Sequence, residues 1–108
     1  ILSWRIHHYS IKVLIMNDIV KLIDMIEKRP ALYLSRHTIS ALKAFLDGWQ
    51  MREPKEIVNI EILIRLQSYI EDYYGVTGHS WDKIILLFSQ DEHDALNTFF
   101  IRYNEIKK

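Results

Sequence analysis

Ser89-Gln90-Asp91-Glu92-His93-Asp94-Ala95-Leu96-Asn97-Thr98-Phe99-Phe100-Ile101-Arg102-Tyr103-Asn104-Glu105-Ile106 is the stretch on which the fold class turns. Leu96, Phe99, Phe100, Tyr103 and Ile106 recur at spacings of three and four, so they share one face of an α-helix. At its start, Ser89 and Glu92 have the spacing of a capping box, with Ser89 as N-cap and the Glu92 carboxylate returning to the Ser89 N–H. Asp91 and Glu92 also place negative charge where a helix dipole favours it.

Outward from this helix the same period repeats. Gly75-Val76-Thr77-Gly78 is the clearest loop, and Ser80 is expected to cap a helix carrying Trp81, Ile84, Ile85 and Phe88 on one stripe. Before the loop, Pro54 suits the first turn of a helix running to Tyr74, with Gly75 as its stop. Ile57, Ile60, Leu63, Ile64, Leu66, Ile70 and Tyr73 make that helix apolar on more than one side, which predicts that it is the central one. Further upstream, Ser35 or Thr38 opens a helix with Leu42, Phe45, Leu46 and Trp49 on its stripe and with Ala41 and Ala44 permitting close approach. Gly48 costs that helix about 1 kcal/mol relative to alanine, which predicts tight packing beside Trp49. Asn17 or Asp18 opens the first helix, with Ile19, Leu22, Ile23 and Ile26 facing inward, and Pro30 ends it in a short turn over residues 29–34. The expected fold is all-α: a compact bundle of about five helices forming one domain over residues 16–108.

Residues 1–15 read differently. They contain no acid and are rich in β-branched and aromatic residues, which predicts a strand or extended arm. They are expected to be an N-terminal extension, upstream of or foreign to the functional fold.

Composition narrows the function. With 108 residues, 49% hydrophobic and 26% charged, the chain has the make-up of one globular domain. It has no cysteine, so disulfides and thiolate metal sites are ruled out and a cytoplasmic location is expected. No apolar run approaches the roughly 20 residues that span a bilayer, so no membrane partner is expected. Formal net charge is zero but unevenly placed: residues 1–55 hold nine Lys/Arg against five Asp/Glu, and residues 56–108 hold five against nine. The acidic C-terminal half points to a basic partner rather than to direct contact with nucleic acid, the alternative being that the two halves attract each other within the fold.

No catalytic constellation emerges. His79 precedes Ser80 in the loop, but that spacing fits no nucleophile and base pair, which converge from separate parts of a fold. Asp91, Glu92, His93 and Asp94 are dense in potential ligands, yet consecutive helical residues diverge by about 100°, and neither Glu-x-x-His nor His-x-x-x-His occurs. His7 and His8 diverge likewise. The three glycines form neither phosphate-binding nor dinucleotide-binding loops. The expectation is a protein that is not an enzyme and takes no cofactor and no metal. A helical DNA-binding or regulatory module is the alternative, resting on the sparse run Lys28, Arg29, Arg36 and Lys43.

Three segments carry a family likeness. Lys28-Arg29-Pro30-Ala31-Leu32-Tyr33-Leu34, Ser40 to Trp49, and Trp81 with Phe88-Ser89-Gln90-Asp91-Glu92 and Ala95 to Phe100 resemble small bacterial immunity proteins, the antidotes encoded beside polymorphic toxins, including those of contact-dependent growth inhibition. The likeness runs from Met16 to Lys107. It implies an inhibitor that occupies the active site or an exosite of one cognate toxin domain. Many such toxins are nucleases with basic clefts, which an acidic surface would approach under electrostatic steering. The residues themselves, rather than any family motif, nominate that surface: Glu71, Asp72, Tyr74, Asp82, Asp91, Glu92 and Asp94. Adjacent Tyr73 and Tyr74 cannot face the same way, so one of them is expected to be exposed as an anchor.

Overall fold

A computed structural model describes residues 17–52 and 56–107 of the chain; the strand-like segment expected over residues 1–15 lies outside them, as does Pro54. The described residues form six helices, α1 (Ile19–Lys28), α2 (Pro30–Tyr33), α3 (Ile39–Arg52), α4 (Glu61–Tyr74), α5 (Trp81–Leu87) and α6 (Glu92–Lys107). None of these is long and apolar enough to cross a membrane.

α1 follows the sequence closely. The Asp18 carboxylate caps it, accepting from the Val20 and Lys21 N–H groups at 3.0 and 3.3 Å, and Ile19, Leu22, Ile23 and Ile26 are all buried. Pro30 does more than stop the helix. Its missing N–H and fixed φ suit a first turn, so it opens α2 where only a turn was expected. Thr38 caps α3, its hydroxyl accepting from the Ala41 N–H at 3.1 Å. Ile39, Leu42, Leu46 and Trp49 are buried along α3. Gly48, by contrast, is exposed, and a Cβ there would meet nothing within 4 Å. Trp49 is packed without help from its neighbour.

The helix expected from Pro54 begins instead at Glu61. Val58 pairs with the entry to α1, donating to the Asn17 carbonyl at 2.8 Å and accepting from the Ile19 N–H at 3.2 Å. Asn59 then takes φ 64°, a left-handed conformation that no helix interior accommodates. Its amide donates to Asp18 Oδ1 at 3.1 Å, so one carboxylate both caps α1 and anchors the approach to α4. Gly75 ends α4 in the left-handed conformation, its N–H bonded to the Glu71 carbonyl.

α6, rather than α4, is the central helix. Ala95, Leu96, Phe99, Phe100, Tyr103 and Ile106 are buried along it, and α3, α4 and α5 all pack on it. α4 buries only Ile62, Leu66 and Ile70 among its residues and leaves Ile64 72% exposed. The Phe99 ring lies 5.0 Å from Trp81, 5.2 Å from Phe100 and 5.8 Å from Tyr103, giving the core an aromatic centre. α4 runs antiparallel to α6: Arg65 donates to the Ile106 carbonyl at 2.8 Å, Tyr69 to Glu105 at 2.7 Å, and Arg102 lies 4.0 Å over the Tyr73 ring. α1 is tied to the same helix by Lys107 to Asp24 and Asn104 to Glu27.

Candidate protein-binding surface

The loop over residues 75–80 folds α5 back against α4, and contacts at both ends hold it there. At the start of α5, the Gln67 side chain accepts the Trp81 N–H at 2.8 Å and donates to the His79 carbonyl at 2.9 Å. The expected cap Ser80 occupies the N-cap position, but its hydroxyl bonds Asp82 and makes no cap bond. At the far end, Phe88 stacks on Tyr74 with ring centres 4.9 Å apart and planes 16° from parallel.

Phe88 is the main departure from the expected core. α5 ends at Leu87 after two turns, so Phe88 leaves the buried Trp81, Ile84 and Ile85 stripe and is 54% exposed. Around it an aromatic row forms on the surface. Tyr69 and Tyr73 lie 6.0 Å apart, Tyr73 and Tyr74 4.8 Å apart, and Phe88 continues the row. Of the adjacent tyrosines, Tyr73 is the more open, at 50% exposure, while Tyr74 is partly covered by Phe88. Leu87 extends the patch.

Behind the row sits one organised polar cluster. Arg102 holds both Glu105 oxygens at 2.8 and 2.9 Å and underlies Tyr73. Arg102 first and Tyr69 second hold the Glu105 carboxyl below the usual carboxylate range, and the hydrogen bond to Glu105 pushes the Tyr69 phenol up. Partial burial works against the Arg102 charge, but its interactions with Tyr74 and Glu105 outweigh that, so the guanidinium is more firmly protonated than usual. The Tyr73 ring is thus backed by a cation while the residue stays half exposed.

The seven nominated residues separate into groups. Glu71, Asp72 and Tyr74 stay together at the end of α4, beside the aromatic row, with Asp72 exposed. Asp82 lies at the opposite end of α5 from Phe88, about 9 Å along the helix axis, and receives the Ser80 hydroxyl. Asp91, Glu92 and Asp94 all serve the start of a helix. Asp91, not Ser89, caps α6: its Oδ1 accepts the Asp94 N–H at 2.8 Å, while Asp94 accepts the Gln90 N–H at 2.9 Å. Ser89 closes α5 instead, donating to the Ile85 carbonyl at 2.7 Å. Glu92 turns away from its own helix to α3, where it accepts the Ser40 N–H at 3.1 Å and the Ser40 hydroxyl at 2.5 Å. Ser40 N–H is one of the first-turn donors that a helix leaves without an internal partner, so Glu92 is a cap delivered from another helix.

His93 lies against His37, ring centres 4.2 Å apart, and His79 is exposed in its loop. Among the described residues, no group of three or more His, Asp or Glu is placed to hold a metal ion. Sequence reasoning missed Phe88 and Tyr73 as surface residues. The signal available for Phe88 was the turn-forming run Ser89-Gln90-Asp91 directly after it, which shortens α5. Compared with protein-family models, with curated proteins and with solved structures, the chain matches none.

Proposed function

We propose that the chain is a binding protein, not an enzyme, and that it neutralises a cognate bacterial toxin domain in the manner of an immunity protein of the contact-dependent growth inhibition type. The observation that carries this reading is the surface row of Tyr73, Tyr74 and Phe88, extended by Leu87 and bordered by Glu71 and Asp72. Exposed aromatics held by a rigid backing are the residues that dominate binding energy at protein interfaces. Bordering acids favour a basic partner and hasten encounter with it, which suits a nuclease with a phosphate-binding cleft. Of the acids nominated from sequence, Glu71 and Asp72 fit this face best, and Tyr73 and Phe88 join Tyr74 as its anchors. Such an inhibitor acts in the cytoplasm, on a toxin domain that has entered the cell.

Co-expression provides the test. Cells producing the toxin domain encoded beside this chain should survive when the chain is present, and the two should co-purify. Phe88→Asp combined with Tyr73→Ala should abolish both results while leaving the far-ultraviolet circular dichroism unchanged. Full protection by that double variant would reject the aromatic row as the binding face. Absence of protection by the wild-type chain against its adjacent toxin would reject the function.

A further inference from the structure

We infer that Arg102 is a positioning residue for the binding face: it fixes the orientation of Tyr73, and through Tyr73 that of Tyr74, before any partner arrives. This role rests on the aromatic row being the binding face, and it assigns control of that face to a side chain on the helix beneath it.

Geometry singles Arg102 out. It belongs to α6, whereas Tyr69, Tyr73 and Tyr74 belong to α4. Its guanidinium lies 4.0 Å from the centre of the Tyr73 ring and holds both Glu105 oxygens at 2.8 and 2.9 Å. Glu105 in turn accepts from the Tyr69 hydroxyl at 2.7 Å. One ion pair on α6 therefore reaches two rings of α4, Tyr73 through its cation and Tyr69 through its carboxylate. Tyr69 at 6.0 Å and Tyr74 at 4.8 Å flank Tyr73, and Tyr74 carries the row on to Phe88.

An exposed ion pair three residues apart on a helix contributes little, because two long side chains must be ordered in water. Arg102 differs from that case. Its side chain is 17% exposed against 39% for Glu105, and its Nε is buried with no hydrogen-bond partner among the described residues. A buried donor left unpaired opposes this placement. What favours it is the attraction between the guanidinium and the Tyr73 ring, stronger where water is excluded, together with the two-pronged hold on Glu105. Arginine alone among the cationic side chains combines a planar fork for a carboxylate with stacking on a ring. Tyr73 itself is half exposed, so without Arg102 its ring would be restrained only by its tyrosine neighbours. Ordering a side chain on association subtracts from affinity, so rings already held bind more tightly than rings the partner must fix.

Two measurements test this. In the free chain with 13C-labelled tyrosine, three-bond couplings should report one χ1 rotamer for Tyr73. Arg102→Met keeps an apolar stem and removes the cation, so it should spread Tyr73 over several rotamers. Arg102→Lys keeps the charge and loses the planar fork; it should do the same to a smaller degree, and it decides the question if the methionine variant does not fold. Against the toxin domain encoded beside the chain, Arg102→Met should bind roughly tenfold more weakly by calorimetry. Added to Tyr73→Ala it should cost little more, because Arg102 acts through that ring, whereas a direct contact with the partner would give additive losses. A single Tyr73 rotamer in the folded Arg102 variants, or additive losses in the double variant, would overturn the assignment. If the wild-type chain does not bind that toxin domain, the proposed function fails, and the Tyr73 rotamers still decide the positioning role.

Discussion

Replacing Glu92 with alanine should destabilise the fold by about 2 kcal/mol. The Glu92 carboxylate makes two bonds to Ser40, at 3.1 Å to the N–H and 2.5 Å to the hydroxyl, across two helices far apart in the chain. Hydrogen bonds to a charged group contribute about 1.5–3 kcal/mol where water is excluded, and these are exposed, so the lower part of that range applies to the pair together. The charge also faces the positive end of α3, worth about 0.3–1 kcal/mol. For a domain of this size 1 kcal/mol moves the melting midpoint by about 4–8 °C, so Glu92→Ala should melt roughly 8–16 °C lower by far-ultraviolet circular dichroism. Glu92→Gln keeps an acceptor and loses the charge, so it should fall between. Ser40→Ala removes only the hydroxyl bond, and a double-mutant cycle with Glu92→Ala should return a coupling of about 1 kcal/mol. A Glu92→Ala protein within about 0.5 kcal/mol of wild type would refute the capping role. Loss of partner binding at unchanged stability would then return Glu92 to the binding surface.

Other outcomes follow from the same structure. Tyr103 is fully buried and its hydroxyl has no partner among the described residues; Tyr103→Phe should raise stability by about 1 kcal/mol or more in urea unfolding, because it removes an unsatisfied buried group without changing shape. Asp18→Ala should cost about 1–2 kcal/mol, and Asn59→Ala should add little once Asp18 is gone, since both act through one carboxylate. The Glu105 carboxyl is held below its usual value by Arg102 and Tyr69, so its contribution is present above the unfolded value of about 4.3 and fades as pH falls through the lower folded value. Glu105→Gln should flatten that acid limb of the stability profile. An unchanged limb would mean that the cluster behind Tyr73 contributes nothing to folding.

The apolar stripes were legible in the sequence because helical periodicity is local. Ile19, Leu22, Ile23 and Ile26 on α1, and Leu96, Phe99, Phe100, Tyr103 and Ile106 on α6, are buried as their spacing predicts. Caps were legible only where donor and acceptor are close in sequence, as at Asp18 and Thr38. The Ser89–Glu92 box had the right spacing but was displaced by stronger alternatives: Ser89 bonds the end of α5, and Glu92 finds Ser40. The pattern that nominated an acidic surface therefore mixed two populations, acids at helix starts and acids beside exposed tyrosines. Composition counts them equally; hydrogen bonding separates them.

From the sequence alone, the all-helical class, the inward faces and the stop at Gly75 were determined, since each depends on backbone preference or period within a few residues. Tertiary structure decided which helix is central, where α4 begins, and how α3 and α5 are capped by Glu92 and Gln67. These choices depend on partners fourteen or more residues away in the chain, such as Trp81 against Gln67 and Ser40 against Glu92. The aromatic row comes from packing as well, because a binding face is made of side chains that packing leaves over.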